Sequence, residues 1–575
     1  LIALDEAIRL ALADSEVVRQ LAGAVAVSSG TTIYDPAVAN QLIDQQRAAF
    51  DPAVIANNTW SQLEPPAAVI DPADPTRAIL GGVKTENHNF ALDLSQRNLT
   101  GGASRFGFSN DASRFSPGLF PLNPQNLYGA ELSYTQPLLR GAGVLANRVP
   151  IVLARIDTER SFFQLRDRVQ ELIRGTIEAY WAVVFARTDV WAREIQVAQA
   201  EELVDFSRAR QRTGFADVAV VAQAESALAQ FRASLISARA NLLTRESALQ
   251  NILGIPPVAP ERLVPSTPPT NERIEFDWNQ ITQIAQVRRP DLIELKLVLE
   301  ADQQRVLLAQ NQTRPNLDLV ALYRWNGLEG RMPNQVRTGT VGDSATDWTL
   351  GVNFSVPLFL RSERAALRSA QLIVARDRAN LEQGVHNARH LLALRVRNLD
   401  TFFMQYEAFR VAREAAKKNL LRQFAAYRTG NPVLFVNVLQ AISDWGNSVS
   451  QEAQALAQYN TELANLERET GTILETHGVF FYEDRFCSLG PLWISKKHGR
   501  AYSRDLRPSE NAARYPSDSE ASENFFDLED YPRRLQREEL GPPRDLPPPE
   551  PALPGPRPPP GPEPLPLSYP NSVAP

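Results

Sequence analysis

Cysteine is almost missing from this chain. Its 575 residues include a single thiol, Cys487, so neither a disulfide framework nor a thiolate metal cluster can be built. Methionine occurs only twice and the first residue is Leu1, so a processed or trimmed chain, without its signal peptide, is expected. There is no run of ~18 apolar residues, which excludes a conventional transmembrane helix. It does not exclude a transmembrane β-barrel, whose strands are short and alternating. Neither sign of charge dominates: 60 Lys plus Arg stand against 66 Asp plus Glu, and the net charge of −6 argues against a nucleic-acid partner. A catalytic set is also lacking. His386 and His390 lie four apart in a helical stretch, but no carboxylate or cysteine completes a metal site, so a solvated or channel-lining pair is expected. Gly327, Gly330, Gly339 and Gly342 read as a loop without the Lys-Ser/Thr ending that cradles phosphate. No cofactor and no enzymatic activity are expected.

What the chain does contain is a repeat. Leu132-Ser-Tyr-Thr-Gln-Pro-Leu-Leu-Arg140 is echoed by Val352-Asn-Phe-Ser-Val-Pro-Leu-Phe-Leu360, and Arg212-Thr213-Gly214 by Arg428-Thr429-Gly430. Pro137 and Pro357 are 220 positions apart and the two glycines 216, so a unit of about that length is duplicated. Residues 1–254 form the first repeat, 255–278 a linker, and 279–476 the second. Each repeat reads as a short opening helix (4–27 and 279–311), extended segments, a long helix, the Arg-Thr-Gly turn and a return helix. The long helices are placed at 144–212, 216–253, 361–428 and 432–475.

Strands are expected near 51–61 and at 126–137, 315–326 and 347–358. In the second of these Tyr128, Ala130, Leu132 and Tyr134 alternate with Gly129, Glu131, Ser133 and Thr135. In the last, Trp348, Leu350, Val352, Phe354 and Val356 alternate with Thr349, Gly351, Asn353 and Ser355. Period-two alternation over about ten residues suits lipid on one side and water on the other, and equally a half-buried soluble sheet. The helices add heptads. Leu228, Leu235, Leu242 and Leu249 fall on Trp445, Glu452, Tyr459 and Leu466 at a constant shift of 217, the spacing of a coiled-coil seam.

In this order and spacing the chain resembles the TolC-type outer-membrane efflux proteins. The resemblance rests on Leu4-Asp-Glu-Ala-Ile-Arg-Leu-Ala-Leu12, Phe50-Asp-Pro52, Gln136-Pro-Leu138, Arg314-Pro-Asn316 and the stretch from Gly214 through Gln223-Ala-Glu-Ser226 to Leu253-Gly254. It implies a mixed fold, an all-α coiled coil plus a transmembrane β-barrel, in which a homotrimer closes one barrel and an α-helical periplasmic tunnel. The implied role is a passive conduit of a tripartite efflux or type I secretion system, in the outer membrane with a periplasmic extension. Implied partners are a periplasmic adaptor (membrane fusion) protein, an inner-membrane RND or ABC transporter, and outer-membrane lipid. The alternative is a structural envelope scaffold of coiled coils with a small soluble β-domain.

The resemblance also assigns sites. Arg212, Thr213, Gly214, Phe215, Arg428, Thr429 and Gly430 would form adaptor-docking hairpin tips. Leu132, Tyr134, Leu350, Val352 and Phe354 would face lipid. Where relatives carry aspartates at the tunnel constriction this chain has Val220, Asn437 and Gln440, so an acidic ring is not transferred; Asp217, nearby, reads as a helix N-cap. Residues 62–125 exceed their counterpart and read as an extra hairpin, either extending above the membrane, the favoured reading, or adding strands to the barrel. Residues 477–575 are irregular, then proline-dominated from Pro547, a composition that favours an extended, disordered tail.

Overall fold

The computed structural model describes residues 2–13, 15–23, 25–117, 121–256, 263–340, 345–429, 435–483 and 507–508. In chain order these comprise α1 (Leu4–Ala13), β1 (Val17–Ala22), β2 (Val25–Thr32), α2 (Asp35–Arg47), a 3-10 turn (Ala48–Phe50), β3 (Ala53–Leu63), β4 (Ala68–Asp71) and β5 (Asp74–Leu80). There follow β6 (Lys84–Arg97), β7 (Ala103–Ser116), β8 (Gln125–Pro137), α3 (Val144–Arg212), α4 (Val218–Leu253), α5 (Trp278–Arg288) and α6 (Pro290–Gln312). The second part continues with β9 (Asn316–Arg331), β10 (Arg337–Gly339), β11 (Thr346–Ser355), α7 (Arg361–Arg428), α8 (Phe435–Thr470) and α9 (Ile473–Thr476). The chain divides into two units, one of residues 1–38, 158–297 and 379–575, the other of 39–157 and 298–378.

The first unit is helical, with its core between α3, α4 and α8. Leu4, Ala7, Ile8 and Ala11 give α1 one apolar stripe at helical spacing, and all four are buried. The helix stops at Ala13, not near Val27 as the sequence suggested. Val17–Ala22 and Val25–Thr32 are instead the hairpin β1–β2, because Val17, Val18, Val25 and Val27 are β-branched and Gly23, at φ +67°, lies in the turn between them. Gly175, inside α3, makes room for that hairpin: a Cβ there would lie 2.9 Å from Leu21 and 3.1 Å from Ile252. Leu172, Ile177, Tyr180 and Trp181 of α3 meet Leu249, Ile252 and Leu253 of α4 in one buried cluster. Truncating such a leucine typically costs about 2–5 kcal/mol. The Tyr180 hydroxyl donates to the Ile2 carbonyl (3.1 Å) and accepts from the Thr267 amide (2.8 Å), which ties the start of the chain to the segment after α4.

The second opening helix spans the expected stretch but is interrupted. It breaks into α5 and α6 at Arg289, whose backbone is extended (ψ 119°) because Pro290 follows. The buried Arg289 guanidinium is matched by Glu469 (2.5 Å) and Asp291 (2.7 Å). Along α8, Trp445, Val449, Tyr459, Leu463 and Leu466 are all buried, as a coiled-coil seam requires.

The second unit holds one antiparallel sheet in the order β10-β9-β8-β7-β6-β3, with β11 also paired to β9. Residues 62–125 are not a simple extension above it. Only β4 and β5 form a separate pair; β6 and β7, 14 residues each, sit inside the main sheet between β3 and β8. Nor are residues 327–342 wholly a loop, since Gly327 and Gly330 belong to β9 and Gly339 to β10. Tyr128 lies over Gly327, where a Cβ would approach the ring to 2.2 Å, so the aromatic plane covers the hydrogen-only position opposite it.

Candidate functional site: a two-faced sheet and a pair of helix tips

Register sorts the sheet into two chemically distinct faces. Leu94, Phe106, Leu132, Tyr323 and Trp348 are successive cross-strand partners from β6 to β11, or lie in line with them. Leu350, Val352 and Phe354 continue that face of β11 and are 62–65% exposed, as apolar side chains in a water-soluble sheet seldom are. Tyr134, near the end of β8, closes the face with a hydroxyl that donates to Gln136 (2.6 Å) and accepts from Asn98 (3.1 Å). Aromatic residues with polar tips at strand ends suit a membrane–water boundary.

The opposite face is crossed by a ladder of charges that periodicity did not reveal. Arg105 of β7 pairs with Asp93 of β6 (2.8 Å) and lies 3.8 Å from Glu131 of β8. Arg324 of β9 pairs with the same Glu131 (2.6 Å) and lies 3.6 Å from Asp347 of β11. Signs alternate over five strands, three carboxylates against two guanidiniums. The signal in the sequence was five charged residues at non-apolar strand positions. Only register shows that they stand in one row.

In the first unit, α3 and α4 meet in a tight turn. Gly214 has φ +78°, its amide donates to the Gln211 carbonyl (3.0 Å), and the Phe215 amide donates to the Arg210 carbonyl (2.9 Å). These two bonds are the Schellman cap, and they need a residue that tolerates positive φ. Thr213 and Thr429 are equivalent: each hydroxyl donates to carbonyls one turn back, at 3.0–3.2 Å. Arg212 is exposed and Phe215 is 77% exposed. Arg428 pairs with Glu202 of α3. Gly430 lies outside the described residues. Asp217 occupies the N-cap of α4 without a side-chain capping bond.

Beneath the tips Leu203 and Val204 of α3, Ala224 of α4, Leu420 and Tyr427 of α7, and Val438 and Ile442 of α8 form one buried cluster. Val220 packs partly against it, so it contributes to packing more than to an open surface. Asn437, Gln440, Asp444 and Asn447 are exposed and lie on the side of α8 away from Val438, Ile442 and Trp445. Gln440 donates to Asp444 (2.6 Å), so a carboxylate stands in the same stripe as the amides. His386 and His390 are exposed with ring centroids 4.4 Å apart, and among the described residues no group of three or more potential ligands surrounds a metal position.

Residues 96–255 and 281–472 match the sequence profile of a family described as outer membrane efflux protein. The chain belongs to the outer membrane efflux protein family. A comparison with curated protein sequences returns no match. Among solved structures, the Campylobacter jejuni CmeC outer membrane channel is similar at 16% identity and a TM-score of 0.54, covering 82% of this chain and 86% of that one. The outer membrane protein VceC of Vibrio cholerae is similar at 16% identity and a TM-score of 0.55, covering 81% and 96%. The open state of the Neisseria gonorrhoeae MtrE outer membrane channel is similar at 16% identity and a TM-score of 0.54, covering 82% and 89%. As an outer membrane efflux protein, the chain is one protomer of a trimeric channel with a β-barrel and a helical periplasmic tunnel. It is a passive conduit of an efflux system, located in the outer membrane with a periplasmic extension, and not an enzyme. No helix among the described residues is long and apolar enough to cross a membrane.

Proposed function

We propose that this efflux protein meets a periplasmic adaptor (membrane fusion) protein through its helix tips and so receives substrate from an inner-membrane RND or ABC transporter. Phe215 carries the reading. It is a large apolar side chain, 77% exposed among the described residues and held on a Schellman turn. Arg212, Thr213, Gly214, Arg428, Thr429 and Gly430 supply the rest of the docking surface. In the same reading Leu132, Tyr134, Leu350, Val352 and Phe354 face outer-membrane lipid. Asn437 and Gln440, with Asp444 beside them, line the tunnel constriction, and Val220 supports it from the buried side.

The test is a Phe215→Cys variant in the Cys487→Ser background, cross-linked to the adaptor in cells that are actively exporting. Cross-links that vanish when the adaptor is deleted are expected. Active export with properly assembled trimers and no cross-link at Phe215, Arg212 or Arg428 would sink the docking assignment.

A further inference from the structure

We infer that the trimer closes a barrel of eighteen strands, in which β6 and β7 of each protomer are part of the wall. The inference rests on the trimeric channel reading and goes beyond it, because strand number sets pore width.

The sheet contributes six long antiparallel strands per protomer, β3, β6, β7, β8, β9 and β11; the short β10 pairs only with the last residues of β9. The hairpin β6–β7 has the properties of a membrane wall. Each of its strands is 14 residues long, above the ~9–11 needed to cross. Leu92, Leu94, Phe106 and Phe108 share the face of Leu132, while Asp93 and Arg105 stand in the charge ladder on the other face. Without the hairpin Glu131 would lose Arg105 as a neighbour. Its turn is anchored where α3 begins. The Gly143 amide donates to the Thr100 carbonyl (3.0 Å), and Arg97 donates to the Asn147 side chain (2.8 Å). Gly101 permits the approach, since a Cβ there would lie 2.2 Å from the Gly141 carbonyl oxygen.

The two sheet edges require a partner. All eleven residues of β3 are exposed, and so are nine of the ten in β11. An open edge in lipid leaves backbone donors and acceptors unpaired, so it has to meet another strand. With an even number of antiparallel strands, β3 and β11 run in opposite directions. The β11 edge of one protomer therefore meets the β3 edge of the next in antiparallel pairing. Three protomers of six strands make eighteen, in the range of barrels that hold an open aqueous lumen. Diameter grows roughly in proportion to strand number, so this barrel is about 1.5 times as wide as one with four strands per protomer.

Paired cysteines in the Cys487→Ser background test the wall strand by strand, using full-length protein in outer membranes. Thr59→Cys with Asn89→Cys, opposite each other on β3 and β6, should link within a protomer. Thr59→Cys paired in turn with Thr349→Cys, Gly351→Cys and Asn353→Cys should, at one register, link neighbours into covalent trimers on denaturing gels. If Thr59→Cys instead links to Leu127→Cys of β8, the hairpin lies outside the wall. The barrel then has twelve strands, and the eighteen-strand proposal falls while the trimeric channel stands. If β3 links to β6 but to no position of β11, closure between neighbours is wrong, and loss of trimers on native gels would separately remove the trimeric reading. Rim diameter in lipid nanodiscs supplies a second measurement: about 1.5-fold the twelve-strand value supports the proposal, and an equal value overturns it.

Discussion

The side-chain amide of Gln196 fills the space that Gly446 leaves open. A Cβ on Gly446 of α8 would lie 2.1 Å from the Gln196 nitrogen, which donates to the Ile442 carbonyl at 3.1 Å. Gln196 is fully buried in α3, and the contact is flanked by Arg193 with Asn447 (3.0 Å) and by Ser450 with Asp189. Here α3 and α8 are registered by polar groups inside an otherwise apolar seam. Gly446→Ala should expel the amide and leave it unsatisfied, at about 1–3 kcal/mol, against about 1 kcal/mol gained in helix propensity. A lower thermal midpoint and more frequent channel opening are expected. Adding Gln196→Ala should recover much of the loss, because it restores the space. Equal effects of Gly446→Ala with and without Gln196 would separate the two residues.

The two faces of the sheet should respond differently to charge. Leu350→Arg or Leu132→Arg places a cation against lipid and should cost about 2–4 kcal/mol near mid-membrane. Asn353→Arg, on the ladder side of β11, should be tolerated. The measurement is the yield of heat-stable trimers in outer membranes. Equal losses from both faces would refute the lipid assignment.

The stripe on α8 predicts a weakly selective constriction. If the proposed constriction is set by Asn437 and Gln440, its neutral rings lack the field that binds multivalent cations; Asp444 keeps its charge while accepting from Gln440, one turn away from Gln440 along α8. Reconstituted trimers should show little block by trivalent cations, and Asn437→Asp should introduce it. Strong block of the unmodified channel that disappears in Asp444→Asn would transfer the constriction to Asp444.

A pH dependence follows from the last turns of the helical unit. His477 is buried, 3.5 Å from both Asp5 of α1 and Glu467 of α8. Burial opposes its charging, but the two carboxylates outweigh burial and raise its pKa to about 9. Burial also pushes the Glu467 carboxyl up. Both groups hold protons more tightly folded than unfolded. The histidine's contribution is therefore full below about pH 6.5, its ordinary value, and is lost as pH rises through about 9; the Glu467 proton acts in the same direction from its own, lower ordinary value. The thermal midpoint should fall across that window, by the equivalent of about 2–3 kcal/mol, and His477→Gln should flatten the slope. A midpoint independent of pH between 6.5 and 9 would contradict the assignment.

Local chemistry made much of this protein legible from its residues. A helix repeats its contacts every three to four positions and a strand alternates every two, so the seam from Trp445 to Leu466 and the two-sided pattern of Leu350, Val352 and Phe354 were visible in the order of residues alone. Gly214 marked a helix end for an equally local reason, the positive φ of a Schellman cap. Short β-branched runs were less clear: Val17 to Thr32 satisfies a helical reading until Gly23 turns it into a hairpin. What the residues could not disclose is which distant strands lie side by side. Whether β6 and β7 stand in the main sheet depends on pairing with β3 and β8, and nothing within Lys84–Ser116 states it. The row from Asp93 to Asp347 and the fit of Gln196 against Gly446 each join residues far apart in the chain. They exist only once register and helix packing are set, because ion pairs and close contacts form between surfaces that tertiary structure alone brings together.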